Sequence, residues 1–399
     1  MNYKENNIKN IMHGFFLAVA MTIAEPSTIL PLIIHHFTQN VIIIGVFVSL
    51  LRGGAILVQL IAAFYAQTFK KAMPYLRRVF AVRVISWFLI GLGIYFVGDK
   101  NPTLTLIIFG LFLFIFSFSA GFGSIYFMEV MAKVFNKHQR GKTMANRQFF
   151  AALGSIISGG VAGWVLSEFT PPKSYAYLFM ISAVLMSIGM IAFGSIKEPI
   201  KENIREKEEN IFLFFKNAFV FLKEDKLLQI QILAMLFSYS YMFAFPFVII
   251  QAKNTIHLTG WLIGGFVTVQ MIGSLIGNLF WKKIAPQYKK IFLISYGLIL
   301  SAFLFVLFFH IKIAYLLFFF LMGIGKDGFK ISGMNLLFEI APEDKRPVYV
   351  ALQNNITSIG LFFSIPGGFI LELAGYKILY LITIFMLLIG TYFANKLKN

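Results

Sequence analysis

The sequence predicts an all-α integral membrane protein, with twelve transmembrane helices in two pseudo-symmetric six-helix bundles. Three observations lead there. Of 399 residues, 58% are hydrophobic and only 13% charged, and the mean hydropathy is +0.79, which leaves too little charge to coat a water-soluble surface. The apolar residues gather into twelve runs, each long enough to cross about 30 Å of hydrocarbon as a helix. Lys and Arg concentrate in alternate connections between those runs.

The runs fall at 11–36, 41–67, 79–97, 104–132, 143–168 and 174–195, then at 228–250, 258–281, 289–309, 313–338, 347–371 and 376–395. Inside lipid every backbone polar group needs an internal partner, so each run reads as a helix rather than a strand. The first run, from Ile11, is longer than the apolar core of a cleavable signal peptide. Short links such as Gly98-Asp99-Lys100-Asn101-Pro102 and Ala374-Gly375 make consecutive helices antiparallel neighbours. The longest link, 196–227, opens with the charged stretch Lys197 to Asn210. It then places Ile211, Phe215, Ala218 and Leu222 on one face of an amphipathic helix that would lie on the membrane surface. The chain therefore divides into a first bundle, 1–196, a cytoplasmic linker, 197–227, and a second bundle, 228–399.

The basic clusters are Lys70, Lys71, Arg77 and Arg78; Lys133, Lys137, Arg140 and Lys142; and Lys282, Lys283, Lys289 and Lys290. The intervening links carry one lysine each: Lys100, Lys173, Lys253, Lys312 and Lys377. This positive-inside asymmetry places both termini in the cytoplasm of a multi-pass plasma-membrane protein. The formal charge of +18 thus reports topology and contact with anionic lipid headgroups, not a nucleic-acid partner. With no cysteine, disulfides, thiolate metal sites and thiol catalysis are excluded. The 48 phenylalanines read as lipid-facing bulk.

An internal repeat supports the two-bundle division. Phe127-Met128-Glu129-Val130 is followed by Arg140, Ala145 and Gly154, and Leu337-Phe338-Glu339-Ile340 by Arg346, Ala351 and Gly360. The arginine-to-alanine and arginine-to-glycine spacings are identical at equivalent places in the two halves. Parallel repeats of this kind point to two bundles that rock against each other. Gly154, Ser158, Gly159 and Gly163, then Gly273 and Gly277, and Gly360, Gly367 and Gly368 supply small faces through which helices approach in lipid.

In these features, over its whole length, the chain resembles the major facilitator superfamily. The resemblance implies that spans 1, 4, 7 and 10 surround a central cavity, that 2, 5, 8 and 11 make the contacts between halves, and that 3, 6, 9 and 12 lie outside. It also implies secondary transport by alternating access. The family's signature between spans 2 and 3, Gly-x-x-x-Asp with following basic residues, is matched only by Ala63-Phe64-Tyr65-Ala66-Gln67 and then Lys70, Lys71, Arg77 and Arg78. The acidic latch residue is absent. The glycine–proline signature of antiporters is also partial, since Gly154 to Gly160 contains no proline.

Ionisable groups deep in a bilayer cost about 2.5–3.5 kcal/mol each on insertion scales, so each implies a role. Glu25 lies fourteen residues after Ile11, roughly 20 Å into the first span. Pro26 and Pro31 follow it, and a proline lacks the N–H that a helix needs, so the span should bend or open beside this carboxylate. Arg52 is midway along the second span, as either a coupling partner or a structural ion-pair partner of Glu25. Lys326, Asp327 and Lys330 crowd the middle of the tenth span among Gly323, Gly325 and Gly328. Lys326 and Lys330 should share a face, and Asp327 should reach Lys330. These five groups carry one net positive charge and form the expected substrate-binding or coupling set, with a lean toward an anionic or zwitterionic solute.

Weaker cavity-lining candidates are Gln59, Tyr126, Tyr239 and Tyr241. Glu129, Arg140, Arg147, Glu339 and Arg346 read as cytoplasmic gate or interface residues, with Glu129 and Glu339 anchored against Arg140 and Arg346. Arg83 is expected to snorkel from the inner end of the third span. The six histidines fall at span ends or in links, and no Gly-x-x-x-x-Gly-Lys-Ser/Thr occurs. The expectation is a proton-coupled secondary transporter of a small molecule, monomeric among membrane lipids, without enzymatic activity, cofactor or metal. A lipid or amphiphile flippase or drug-type exporter, and a non-transporting membrane protein, are the alternatives.

Overall fold

The computed structural model describes residues 3–23, 25, 27–56, 58, 62, 69–200, 222–342 and 346–397. Among them every regular element is a helix. Helix α1 (Tyr3–Ile23) stops just before the Glu25-Pro26 pair, and α2 (Ile29–Phe37) resumes beyond it. The Glu25 carbonyl accepts the amides of Thr28, Ile29 and Leu30 at 3.2, 3.2 and 3.3 Å, so the backbone is satisfied at the break without a continuous helix. The interruption expected from the prolines is present.

Next come α3 (Val41–Gly53), α4 (Met73–Phe96), α5 (Pro102–Val134), α6 (Lys137–Glu168) and α7 (Lys173–Gly194). Their starts carry side-chain caps that relieve amides having no partner inside the helix. Asn40 Oδ1 takes the amides of Ile42 and Ile43, and Asn101 Oδ1 that of Leu104. Asn136 and Gln139 form a reciprocal capping box at the start of α6.

The second set is α8 (Lys226–Ser238), α9 (Phe245–Thr255), α10 (Gly260–Ile284), α11 (Tyr288–Phe308), α12 (Lys312–Ile340), α13 (Arg346–Thr357) and α14 (Ser364–Lys396). Short 3₁₀ segments, Tyr239–Phe243 and Ser358–Phe362, join α8 to α9 and α13 to α14. Gly375, at φ 75°, splits α14 into two crossings; this left-handed turn is what glycine tolerates. Counting α1/α2, α8/α9 and α13 with the first part of α14 as single interrupted crossings gives the twelve-helix architecture. Among the described residues eight helical runs are long and apolar enough to cross a membrane, the last being Val348–Lys396, whose 49 residues suffice for two passes. Helix α12, of 29 residues, is long enough but carries Lys326, Asp327 and Lys330 at mid-length. The amphipathic linker helix expected from Ile211 to Leu222 lies almost wholly outside the described residues, as do Gln59 and Gln67.

The chain forms two compact units. The first comprises 1–39, 50–207 and 259–268, and the second 40–49, 208–258 and 269–399. In the first, α1 packs on α6 and α7, and α4 on α5 and α7. Its centre is Trp87, in tilted contact with Phe116 and Phe179 at 4.2 and 4.9 Å, with the indole N–H donated to Ser182 Oγ at 2.6 Å. Lipid supplies no hydrophobic drive for helix association, so such packing and interhelical hydrogen bonds hold the bundle. In the second unit α11 packs on α12 and α14. There the Tyr296 hydroxyl donates to the Ala234 carbonyl at 2.5 Å, in the space left by Gly390. Leu373, Ile191 and Phe308 point outward from their bundles, as apolar side chains do where the solvent is lipid tail.

Candidate transport site and comparison with known proteins

In the first unit the break between α1 and α2 presents Glu25. Its side chain is only 10% exposed, and Oε1 lies 3.7 Å from an Arg52 terminal nitrogen. Ser27 Oγ donates to the same carboxylate at 3.1 Å. Arg52 leaves α3 one residue after Leu51, whose carbonyl accepts Ser117 Oγ of α5 at 3.0 Å, and this fixes the arginine's backbone. The ion pair is nevertheless long. Charge-assisted N–H···O bonds close to about 2.7–2.9 Å, so Arg52 is attracted to Glu25 without being locked to it. With 36% of its side chain exposed, Arg52 offers guanidinium donors to a further anion.

In the second unit, adjacent helical positions project about 100° apart, and this separates Lys326 from Asp327. Lys326 Nζ lies 4.8 Å above the Phe245 ring of α9, a cation–π contact. Asp327 turns to α10, accepting Ser274 Oγ and, at 2.8 Å, Asn278 Nδ2. The close approach is made by glycines: a Cβ at Gly323 would strike the Gln270 carbonyl, and one at Gly277 would sit 3.0 Å from Ile324 Cα. The expected Asp327–Lys330 pair does not form among the described residues. Two α10 donors already hold the carboxylate, and Lys330 is exposed. Tyr239 and Tyr241 stack 6.4 Å apart in the 3₁₀ segment, Tyr241 buried. Tyr126 is buried in an aromatic group with Phe69, Tyr75 and Phe122.

The inner ends of the helices differ from the expected pairing. Glu129 meets Lys133, one turn on in the same helix, at 3.4 Å, whereas Arg140 donates to the carbonyls of Phe135 and Ala132 at 2.9 and 2.5 Å. The C-terminal carbonyls of α5 have no helical donors, and Arg140 serves them instead of Glu129. Glu339 makes no ion pair among the described residues and borders a hollow of about 400 Å³ with Lys289 and Lys290, so it is not anchored to Arg346. Arg346 opens α13.

Three buried polar features were missed by reading the sequence. Glu198, just past α7, has a side chain only 1% exposed. It accepts the amides of Ala72 and Met73 at 2.9 and 2.7 Å and Lys133 Nζ at 2.7 Å, so a carboxylate caps α4. His13, at the start of the first span, is buried. Its ring lies among Phe80, Phe127 and Phe193, and Nδ1 meets Arg147 at 2.7 Å. Arg147 therefore reaches inward to α1 and stacks over Phe127 at 4.8 Å. Arg83 does not snorkel: its guanidinium lies 4.5 Å over Phe116 with Nε buried. At the N-terminal end, ahead of the first span, Lys9 hydrogen-bonds Glu5 at 2.6 Å and holds its carboxyl below the usual value.

A family model described as Major Facilitator Superfamily matches residues 11–265 and 227–397. Comparison with curated proteins gives no sequence match. The nucleoside transporter NupG superimposes with a TM-score of 0.73 at 14% identity, covering 100% of both chains. A D-xylose–proton symporter gives 0.69 at 14% identity, covering 100% of this chain and 97% of the other. A bacterial homologue of the human lysosomal transporter Spinster, inward-facing and unoccupied, gives 0.62 at 12% identity, covering 98% and 96%. At these identities the likeness is one of fold.

Proposed function

Because the chain belongs to the Major Facilitator Superfamily, we propose that it carries an anionic or zwitterionic small solute across the membrane by alternating access, coupled to protons. The observation that carries this reading is the loose Glu25–Arg52 pair at the break in the first span. A solute carboxylate or phosphate competes with Glu25 for Arg52. Protonating Glu25 removes the competitor and leaves a cation at a helix break, where an anion is favoured. Solute and proton then bind together, which is the thermodynamic requirement for symport. Within the second unit, Lys326 over Phe245 is the candidate substrate-binding or coupling cation. Asp327, tied to Ser274 and Asn278, positions α12 against α10. The moving bodies are the halves 1–196 and 228–399, and both termini face the cytoplasm, as the distribution of Lys and Arg supports.

The chain is free of cysteine, so single-cysteine variants report sidedness directly with impermeant thiol reagents. Transport itself is tested in proteoliposomes. A panel of carboxylated and phosphorylated solutes, with sugars and nucleosides as neutral controls, is offered with and without an inward proton gradient. Gradient-driven accumulation of an anion, lost in Glu25→Gln, is the expected result. Accumulation of neutral solutes only, or indifference to the gradient, overturns the substrate class or the coupling respectively.

A further inference from the structure

Away from the charged groups above, the first unit carries a groove of about 570 Å³ between α4 and α7. Its walls are apolar: Phe80, Val84 and Ile85 from α4, Met190 and Ile191 from α7. From Arg77 at its mouth to Ile85 it runs eight residues, about 12 Å of helix, so it extends from the basic end of the bundle into the hydrocarbon. Ile85 and Ile191 are 55% and 71% exposed, so the groove opens sideways. Both flanking helices, Met73–Phe96 and Lys173–Gly194, are of membrane-crossing length and apolarity. What fills an apolar groove open to the bilayer is an acyl chain.

The mouth selects the headgroup. Arg77 Nε donates to the Gly194 carbonyl at 2.7 Å, which aims the guanidinium across the groove entrance. Its two terminal nitrogens meet no acceptor among the described residues, leaving a fork of donors suited to a phosphate. Arg78 lies next to it, 5.9 Å over Tyr75, and Lys197 is exposed two residues past Ser195, the last groove residue. The carboxylate of Glu198 does not offset this charge, because it faces the Ala72 and Met73 amides and Lys133. We infer that this groove is a binding site for one anionic phospholipid, with an acyl chain along Phe80, Val84 and Met190 and the phosphate on Arg77.

The test uses the full-length protein in delipidated detergent, titrated with dioleoyl phosphatidylglycerol or dioleoyl phosphatidylcholine in mixed micelles while the melting temperature is followed. A ligand of the folded state raises that temperature according to its affinity. Phosphatidylglycerol should stabilise at lower concentration than phosphatidylcholine. Arg77→Gln should weaken phosphatidylglycerol binding about tenfold, as loss of a charge-assisted contact does. Lys312→Gln, at an exposed lysine of the second unit, should keep the preference. Val84→Trp fills the groove without changing charge and should lose the preference, and Ala81→Leu serves as a milder filler. Each variant is read as the difference between the two lipids, so reduced basal stability does not imitate the effect. Glycerophosphoglycerol, the headgroup without tails, should give no shift. Equal stabilisation by both lipids, a preference that survives Arg77→Gln or both fillers, or a full response to the tailless headgroup overturns the site.

Discussion

Replacing Glu25 by glutamine removes a charge and almost no volume, and its consequences follow from the geometry at the helix break. The carboxylate, 10% exposed, stands 3.7 Å from Arg52, which is 36% exposed. Two unit charges at this separation attract by about 4 kcal/mol in a surroundings of effective dielectric near 20. The exposed arginine is screened by solvent, and the pair is longer than a charge-assisted hydrogen bond, so a net stability loss of only about 1 kcal/mol is expected. The larger effect is on binding. In the wild type an anionic solute must draw Arg52 away from Glu25, whereas in Glu25→Gln it need not. Recovering about 1 kcal/mol of that competition strengthens anion binding roughly fivefold at neutral pH. The sign with pH follows from the proposed coupling: if anion and proton bind together, affinity in the wild type should rise as pH falls, and in the variant this dependence should disappear. Isothermal titration with the best anion from the proteoliposome panel, across a pH series, measures both. An unchanged affinity with an unchanged pH dependence would refute the competition, and with it the proposed coupling role of Glu25.

The other predictions concern the second unit and the scaffold. Lys326→Ala removes the contact over Phe245 and should lower anion affinity without changing its pH dependence, by the same calorimetry. Asp327→Asn keeps an acceptor for Ser274 and Asn278, so its melting temperature should stay close to wild type. Asp327→Ala takes the acceptor from the Ser274 hydroxyl, whereas the exposed Asn278 amide keeps its bond to the Ser274 carbonyl, and should cost about 1 kcal/mol in thermal unfolding. Glu198→Ala takes the acceptor from the Ala72 and Met73 amides and leaves Lys133 its longer contact with Glu129, a loss of about 1–3 kcal/mol that should appear as early melting on fluorescence-detected chromatography. Trp87→Phe loses the bond to Ser182 and leaves a void where the fully buried indole was, for about 2–3 kcal/mol by the same readout.

Much of this protein is written in one dimension. The thickness of the bilayer sets the length of each apolar run, so the crossings and their antiparallel order follow from counting residues. The break in the first span is equally local, since Pro26 has no N–H to give, and the depth of Glu25 and Arg52 follows from helical rise. Tertiary structure decided which way each charged side chain turns, because rotation of a helix about its axis is set by its neighbours. Lys326 and Asp327 are adjacent in sequence, yet one meets Phe245 of α9 and the other Ser274 and Asn278 of α10, for glycines at 277 and 323 bring α10 against α12 on one side only. The contact of His13 with Arg147 spans 134 positions and leaves no periodic trace. Glu198 reads in sequence as one more charge in a polar link, and it becomes a buried cap only because the end of α7 folds beneath the start of α4. Spacing along the chain fixes what a side chain is and how deep it lies, while its partner is chosen by whichever helix packs on that face.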